Sequence, residues 1–326
     1  MEFARPAWIR EEMNRLGGLG RPFLFAIDFE MTQGFVIEDP AQQSSVGYQV
    51  WGQGNKKNDA APKLENVRLI TQPLSIEEYA AKFAVVMAGL ARGDSYLVNL
   101  TVATPLECSL DLADIFAASS SPYQILVPDH FVCFSPERFV RIEAGQISTC
   151  PMKGTINAAI PDAARVILED FKETAEHATI VDLLRNDLSL SASQVRVSRY
   201  RYLDRIQTRQ REILQVSSEI VGSLPDHYQS HLGDILFRLL PAGSCSGAPK
   251  ASTLLIIQRA EQQPRGFYTG VFGLFDGQTL ESAVMIRFIE KGPTGLVFRS
   301  GGGITAYSQM ESEYQEALEK IYLPFV

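Results

Sequence analysis

The sequence has few cysteines, and their spacing suits neither a metal site nor a disulfide framework. Only Cys108, Cys133, Cys150 and Cys245 occur among 326 residues. No C-x-x-C pair is present, and no histidine lies at metal-ligand spacing from a cysteine. The pattern therefore predicts reduced, partly buried thiols and argues against a zinc or disulfide-stabilised fold.

Long apolar runs and basic clusters are also lacking. No segment approaches the roughly 18 apolar residues that a membrane-spanning helix needs. The charged N-terminal stretch MEFARPAWIREEMNRLGG lacks the apolar centre of a secretory signal. The formal net charge is −8, which disfavours a nucleic-acid-binding face. We expect a cytoplasmic protein that binds neither membranes nor nucleic acids.

Strand-like segments occur in blocks instead of alternating with helices. The first block contains RPFLFAIDFE, GFVIED, YQVWG, SYLVNLTVATPLE and HFVCFSPERFVRIEAGQIST, and a later one contains GFYTGVFGLFDGQTLESAVMIRFIE and GLVFRSGGGITA. Helical spacing marks SIEEYAAKFAVVMAGLARGD, with Gly93 as its C-cap, the long region DAARVILEDFKETAEHATIVDLLRNDLSL, and SEYQEALEKIYLPF. The polar stretch Trp51 to Val67 predicts a surface loop. These blocks favour an α+β fold with mainly antiparallel sheet. A Rossmann fold is disfavoured, because the glycine clusters do not form a strand–GxGxxG–helix unit.

The stretch QISTCPMKGTINA places Lys153 at a predicted turn. Alternating residues up to Cys150 predict strands, Pro151 ends them, and Gly154 permits a tight bend. Taken alone, a lysine in such a turn is a solvated charge.

Two pairs of acidic residues lie three positions apart on predicted helices. Glu173 and Glu176 share one helix face, and Glu313 and Glu316 share another. Like charges at this spacing destabilise a helix unless a hard cation such as Mg²⁺ offsets them. Each pair alone is a solvated helix face, and Glu316 with Lys320 is an ordinary i,i+4 pair. Spacing by itself does not tell whether the two pairs meet.

Gly-rich breaks suggest positions where backbone approaches a ligand. In PAGSCSGAPK, Pro249 suits the first helical position, Ser246 suits the cap, and nearby Lys250 would complete an anion site. SGGGIT offers a second break after a strand. For either break, a tight turn with a cap is the simpler reading.

One charged residue and one charged cluster remain to be interpreted. Arg287 falls within the apolar strand SAVMIRF, where a guanidinium needs a carboxylate partner that a ligand would supply. The cluster DLLRND, Asp182 to Asp187, is interpreted as a structural group of salt bridges and caps.

Seven strings in this order resemble the chorismate-utilising enzymes, which include the large subunits of anthranilate synthase and aminodeoxychorismate synthase. They are SPERF, PMKGT, AEHATIVDLLRNDLS, PAGSCSGAPK, RGFYTGVFG, SAVMIR and SGGGITA with ESEYQEALEK, spanning about Ser135 to Lys320. The resemblance implies a chorismate-binding fold of mainly antiparallel sheets, packed as a sandwich with helices outside. It also implies one domain over residues 1–326, with abbreviated N-terminal strands and loop (1–74) and a catalytic core (75–326).

The string PMKGT resembles the P-I-K-G-T of aminodeoxychorismate synthases more than the P-I-A-G-T of anthranilate synthases. The resemblance implies that Lys153 is a nucleophile, helped by a lowered pKa in a shielded, Mg²⁺-rich site, and that Glu137 is a general acid. The implied product is 4-amino-4-deoxychorismate, formed from chorismate and ammonia for p-aminobenzoate and folate synthesis. Anthranilate synthesis or another chorismate chemistry is the alternative. A non-catalytic relative ranks lower, because Glu137, Lys153, Glu176 and Glu316 are all present.

The same resemblance implies the ligand-binding residues. Mg²⁺ would be held by Glu176 and Glu316, with Glu173 and Glu313 behind them. The substrate would contact Thr155, Ser246, Gly247, Tyr268, Arg287, Gly301, Gly302, Gly303 and Lys320.

Two departures from the family pattern and one missing signature carry expectations of their own. Leu214 stands where many relatives have a histidine tied to elimination, so loss of pyruvate is not expected. LFAIDFE fits the family's tryptophan-pocket strand poorly, so we expect no tight tryptophan binding. No glutaminase signature accompanies the motifs, so a separate glutamine amidotransferase subunit is expected to supply ammonia.

Overall fold

The computed structural model describes residues 2–56, 67–207 and 212–323. Most of the surface loop predicted between Trp51 and Val67 lies outside these ranges. The helices are α1 (Pro6–Gly18), α2 (Ile76–Ala91), α3 (Leu112–Ala118), α4 (Ala163–Glu169), α5 (Phe171–Ser189), α6 (Leu232–Leu239), α7 (Gly243–Ser246), α8 (Lys250–Glu261) and α9 (Met310–Glu319). None of the helices in these ranges is long and apolar enough to span a membrane.

The strands form two sheets. They are β1 (Phe23–Ile27), β2 (Gly34–Glu38), β3 (Gly47–Val50), β4 (Gln53–Gly54), β5 (Leu69–Thr71), β6 (Leu97–Cys108), β7 (Tyr123–Val127), β8 (Phe131–Ser135), β9 (Arg138–Glu143), β10 (Gln146–Thr149), β11 (Met152–Asn157), β12 (Ser193–Gln207), β13 (Glu212–Ser223), β14 (Gly247–Ala248), β15 (Val271–Phe275), β16 (Leu280–Val284), β17 (Phe288–Gly292) and β18 (Gly295–Ile304). The first sheet has the order β11-β13-β10-β9-β16-β15-β1-β2, with β12 also on β13. The second has the order β14-β6-β18-β17-β8-β7-β3-β4, with β5 also on β6.

Every strand pair among the described residues is antiparallel. The predicted α+β class with antiparallel sheets is therefore confirmed. The N-terminal strands enter both sheets, since β1 pairs with β15 and β3 pairs with β7.

The sheets pack face to face around an apolar core. Ala26 and Phe272 of the first sheet share one buried cluster with Ile125 and Phe288 of the second. Helices α1 and α6 cover the outer face of the first sheet, while α2 and α8 pack against the second. Burial of apolar side chains on both faces of each sheet stabilises this sandwich, which agrees with the predicted layers.

Helix α2 follows from its sequence. Ser75 and Glu78 form a reciprocal capping box at its start. The predicted apolar face is buried through Phe83 and Val86. Its C-cap is Arg92, and Gly93 follows in the left-handed region, so the predicted cap was one residue late.

The long helical region after Lys153 is broken into two helices. Asp170 has extended backbone, and its side chain accepts a hydrogen bond from the Glu173 N–H at the start of α5. Apolar spacing continues across the break, so the pattern predicted one helix. The Asp170 cap starts a second helix there. The break sets Glu173 in the first turn of α5.

The predicted strand SAVMIRFIE is also interrupted. β16 ends at Val284 in the first sheet, and β17 begins at Phe288 in the second. Between them Arg287 adopts a φ of 56° in the left-handed region. The apolar run therefore crosses from sheet to sheet, with Arg287 at the crossing.

Candidate active site

A cavity of about 280 Å³ lies between the two sheets and is lined by residues of β11 in the first sheet and of β18 in the second. The first sheet contributes Lys153 and Gln215, and the second contributes residues of β6 and β18. The cavity is lined by nine of the residues that the sequence singled out: Glu137, Lys153, Tyr268, Arg287, Gly301, Gly302, Gly303, Glu316 and Lys320.

Lys153 lies on strand β11, so its predicted position in a turn is wrong. The pairing of β11 with β13 shifts register between Met152 and Thr155, and Gly154 within this irregularity has a φ of 82°. Lys153 Nζ donates a hydrogen bond to Glu176 Oε2 at 3.2 Å. The bulge therefore directs the ammonium group to helix α5.

The charge state of Lys153 is set by opposing effects. Burial alone would lower the pKa of its ammonium group, but the nearby carboxylates of Glu176, Glu316 and Glu173 outweigh burial, so the pKa is raised. The lowered pKa that the sequence predicts belongs to a Mg²⁺-rich site, and the protein's own groups without such an ion raise it instead. A neutral amine at this position requires that the carboxylate charge be offset.

Of the four predicted Mg²⁺ ligands, Glu316 lines the cavity, and Glu173, Glu176 and Glu313 are not among the lining residues. A Cβ built on Gly302 would lie 3.4 Å from Glu316 Oε1 and 3.7 Å from Glu313 Oε2. A Cβ built on Gly154 would lie 3.0 Å from Glu173 Oε2. Gly154 adjoins Lys153, and one or both acids of each helix act on the amine: Glu173 and Glu176 from α5, and Glu316 from α9.

Lys320 follows α9 and joins this group of charges. Its Nζ contacts Glu316 Oε1 and the Gly301 carbonyl oxygen, each at 2.7 Å. Glu313, one turn earlier, is buried. The predicted i,i+4 pair therefore forms, and it does so at the cavity wall.

The four carboxylates supply the oxygen ligands that Mg²⁺ prefers, and Mg²⁺ in proteins usually keeps waters or substrate oxygens in its coordination shell. Within the part of the chain that the structure describes, no three His, Cys, Asp or Glu side chains are close enough to hold a metal by themselves. The acids thus fit the ion in chemical type, and a bound ion would need further oxygen ligands.

Glu137 follows β8 in a loop and projects into the cavity. Its Oε1 accepts a hydrogen bond from Ser244 Oγ at 2.6 Å. Burial raises the pKa of the Glu137 carboxyl above its ordinary value. The Ser244 hydrogen bond and the charge of Lys153 act in the opposite direction. A carboxyl group that retains its proton is suited to serve as a general acid.

Arg287 and Tyr268 also line the cavity. Arg287 Nε donates to Tyr322 Oη at 3.0 Å, and its guanidinium group stacks on that ring. Among the described residues Arg287 forms no ion pair, so its charge is available to an anionic ligand. Tyr268 is buried, and burial raises the pKa of its hydroxyl group.

The glycines of β18 permit close strand contact. A Cβ on Gly301 would lie 2.6 Å from the Leu100 carbonyl oxygen. A Cβ on Gly303 would lie 3.7 Å from Lys153 Nζ. Side chains here would displace the neighbouring strand or fill the cavity.

Three predicted substrate contacts are not among the residues that line the cavity. Thr155 is exposed on β11. Ser246 is buried and donates to the Ala242 carbonyl oxygen, so it does not cap α8. Gly247 has a φ of 127°, and a Cβ there would collide with the Leu97 carbonyl oxygen. The structure therefore gives Ser246 and Gly247 packing contacts near the cavity.

Lys250 is bound by other parts of the protein, which disfavours the anion site that is one alternative for the PAGSCSGAPK break. Lys250 Nζ contacts Asp187 Oδ2 at 3.0 Å and donates to the Leu239 carbonyl oxygen at 2.6 Å. Pro249 is the N-cap of α8 and not its first residue. Asp182 pairs with Arg185, which together with the Asp187 contact agrees with the structural interpretation of DLLRND.

Leu214, which stands at the family's histidine position, is buried on β13 and does not line the cavity. The adjacent Gln215 does. Alternation along a strand directs neighbours to opposite faces, which places Gln215 toward the site.

Sequence reasoning missed several polar residues that line the cavity: Asn99, Gln215, Ser244, Cys245, Thr269 and Arg299. Ser244 lies in PAGSCSGAPK two residues before Ser246, the serine that the motif predicts as a substrate contact. Asn99 lies in an apolar strand, where a carboxamide is itself a signal of a polar contact.

Buried Arg265 connects the segments behind the cavity. Its guanidinium group donates to the carbonyl oxygens of Asn99 and Cys245, each at 2.7 Å. Glu261, four residues earlier, binds it through both carboxylate oxygens. Because Asn99 and Cys245 both line the cavity, this ion pair fixes β6 and α7 relative to each other.

Comparison with known sequences gives a consistent result. A family model described as chorismate binding enzyme matches residues 24–324. A protein named "Uncharacterized PabA-like protein" from Haemophilus influenzae is 48% identical over 316 residues, covering 96% of this chain and 95% of that protein. Aminodeoxychorismate synthase component 1 of Salmonella typhimurium is 33% identical over 260 residues, covering 75% of this chain and 56% of that enzyme.

Solved structures share the fold. Anthranilate synthase component I from Streptococcus pneumoniae aligns with a TM-score of 0.65 and 25% identity, covering 77% of this chain and 58% of that one. A putative 2,3-dihydroxybenzoate-specific isochorismate synthase, DhbC from Bacillus anthracis, aligns with a TM-score of 0.73 and 21% identity, covering 97% and 86%. These similarities match the two-sheet architecture.

Proposed function

Because the chain belongs to the chorismate binding enzyme family, we propose that it is an aminodeoxychorismate synthase large subunit. It converts chorismate and ammonia to 4-amino-4-deoxychorismate, the precursor of p-aminobenzoate in folate synthesis. The observation that carries this proposal is the position of Lys153 Nζ, which reaches the cavity beside Glu176 and shares the cavity with Glu137.

Lys153 acts as the nucleophile. Its neutral amine bonds to ring C2 of chorismate, the double bond shifts, and the C4 hydroxyl group leaves. Glu137 donates the proton that makes the leaving group water. Ammonia then adds at C4 and loses one proton, which restores the acid form of Glu137; the double bond shifts back, and the bond between C2 and Lys153 breaks. The balance is one water released for each ammonia taken up, and the lysine is restored.

Cationic groups bind the substrate carboxylates. Arg287, which pairs with no carboxylate among the described residues, and Lys320 beside Gly301 and Gly302 suit the enolpyruvyl carboxylate. Glu176 and Glu316, with Glu173 and Glu313 behind them, would hold Mg²⁺. That ion would neutralise the ring carboxylate and offset the carboxylate charge that raises the pKa of Lys153.

A separate glutamine amidotransferase subunit is the proposed source of ammonia. The absence of a glutaminase signature in the sequence supports this assignment. In vitro, ammonium salts would replace the subunit.

The direct test is incubation of the purified chain with chorismate, ammonium and Mg²⁺. We expect a product that yields p-aminobenzoate only after an added aminodeoxychorismate lyase. Fluorescent anthranilate formed without the lyase would contradict the proposal and favour the anthranilate alternative. Isochorismate as the product would contradict it as well.

A further inference from the structure

Glu137 depends on a contact from outside its own segment for its orientation. It lies in the short loop between β8 and β9. Among the described residues, its carboxyl group has one hydrogen bond, from Ser244 Oγ to Oε1 at 2.6 Å. A buried carboxyl with so few contacts would otherwise rotate among several rotamers.

Ser244 is itself held firmly. It lies on the short helix α7, whose Cys245 carbonyl oxygen accepts a hydrogen bond from buried Arg265. On another side, a Cβ on Gly243 would lie 2.5 Å from Asp187 Oδ2, and Asp187 is paired with Lys250. The Arg265 hydrogen bond therefore holds the segment that carries the Ser244 hydroxyl group, and Asp187 packs closely against Gly243 in the same segment.

We propose that Ser244 is a positioning residue that orients Glu137 for proton donation. The hydroxyl group donates to Oε1, which leaves Oε2 as the oxygen that carries the transferable proton into the cavity. The inference rests on the proposed function, because it assumes that Glu137 acts as the acid. Ser244 itself transfers no proton in this scheme.

The contact has a predictable effect on the ionisation of Glu137. The charged groups that act on this carboxyl are Lys153 on β11, Arg287 at the sheet crossing and Lys320 after α9, and the Cys245 thiol is adjacent. All three cations favour the carboxylate, as does the Ser244 donor. Loss of the donor therefore moves the ionisation of Glu137 to higher pH. A general acid works only while protonated, so the alkaline limb of the pH–rate profile would move upward too.

The variants Ser244→Ala and Ser244→Thr test the proposal. We expect Ser244→Ala to lower kcat about 10- to 100-fold, which is part of the rate contribution that a well-positioned general acid makes. The alkaline limb of the pH–rate profile of Ser244→Ala should move about one unit to higher pH. Ser244→Thr, which keeps the hydroxyl group, should stay within about threefold of the parent enzyme. Ser189→Ala, a serine that bonds to the Arg185 carbonyl oxygen outside the cavity, is the matched control.

Repeating the Ser244→Ala change in a Glu137→Gln variant separates a positioning role of Ser244 from a general structural effect. In Glu137→Gln, the further change Ser244→Ala should cost little, because the group that Ser244 orients has lost its acid function. An unchanged kcat in Ser244→Ala, or an equal loss in both backgrounds, would overturn the inference.

A carboxyl ¹³C titration of Glu137 gives a readout that does not need turnover. The signal is assigned by its loss in Glu137→Gln, and its midpoint should rise in Ser244→Ala and stay unchanged in Ser189→Ala. A parent enzyme that makes no aminodeoxychorismate would refute the proposed function. An unmoved Glu137 midpoint would refute the Ser244 inference by itself. If Ser244→Ala fails to fold, Ser244→Cys replaces the hydroxyl group with a weak donor and should raise the same midpoint.

Discussion

Lys153 Nζ and Glu176 Oε2 lie 3.2 Å apart, joining strand β11 to helix α5. Glu176 holds the lysine in its ammonium form, so this pair describes a resting arrangement. Attack on chorismate requires that the proton leave and that the contact loosen. In the proposed reaction, the nucleophilicity of Lys153 therefore depends on the charge carried by the acidic pairs.

Replacing Lys153 by alanine should remove the nucleophile. We expect aminodeoxychorismate formation to fall at least about 100-fold, because a covalent route has lost its attacking group. Chorismate binding should persist, since the carboxylate-binding groups remain. Product analysis by chromatography with added lyase measures the loss, and calorimetry measures binding. Lys291→Ala, which removes an exposed lysine paired with Asp129, should leave turnover unchanged. Full turnover by Lys153→Ala would refute the mechanism.

The acidic pairs should govern the response to Mg²⁺. Glu176→Gln and Glu316→Gln should each raise the Mg²⁺ concentration needed for half-maximal activity by about tenfold or more, since each removes an anionic oxygen ligand. EDTA should abolish parent activity, and added Mg²⁺ should restore it. Glu311→Gln alters an exposed acid on the same helix, α9, and should respond like the parent. Activity that EDTA leaves intact would count against the metal.

A methyl group at Gly302 should obstruct the substrate without unfolding the protein. It would point toward Glu316 Oε1 at 3.4 Å and Lys320 Nζ at 3.7 Å. The φ of Gly302 is not in the left-handed region, so alanine brings no backbone strain there. For Gly302→Ala we expect the KM for chorismate to rise about tenfold. Thermal melting should remain near that of the parent, and a large fall in Tm would show that the glycine is needed for folding.

Arg265→Met should be strongly destabilising. It would leave Glu261 as a buried carboxylate without its partner, which typically costs about 3–5 kcal/mol of unfolding free energy. Urea denaturation monitored by fluorescence measures the change. The double variant Glu261→Met/Arg265→Met should lose less than either single variant, because no buried charge is left unpaired. Arg259→Met, on the exposed side of α8, should change stability by less than about 0.5 kcal/mol.

The purified chain should not hydrolyse glutamine. Ammonium salts should support the reaction, with a rate that rises as pH increases the free ammonia concentration. Glutamine should do so only after addition of an amidotransferase subunit. Release of glutamate by the chain alone would show that it carries its own ammonia source.

Local patterns predicted much of the architecture correctly. The apolar spacing from Tyr79 to Leu90 and the Ser75 cap are properties of neighbouring residues, so α2 could be predicted from them. The blocks of strands likewise predicted antiparallel sheets. The same patterns missed the break at Asp170 and the sheet crossing at Arg287, because apolar spacing runs through both positions. At each, one residue's backbone conformation interrupts the element.

The sequence by itself determined which chemical groups the chain carries, their order, and the family motifs that contain them. Only the tertiary structure decided which of those groups meet. Strand register and helix packing bring Lys153 to Glu176 and Ser244 to Glu137, and commit Lys250 to Asp187. Periodicity fixes the face on which a side chain lies along its own helix or strand. The distance between two faces comes from burial of the whole core, to which residues far apart in the chain contribute together.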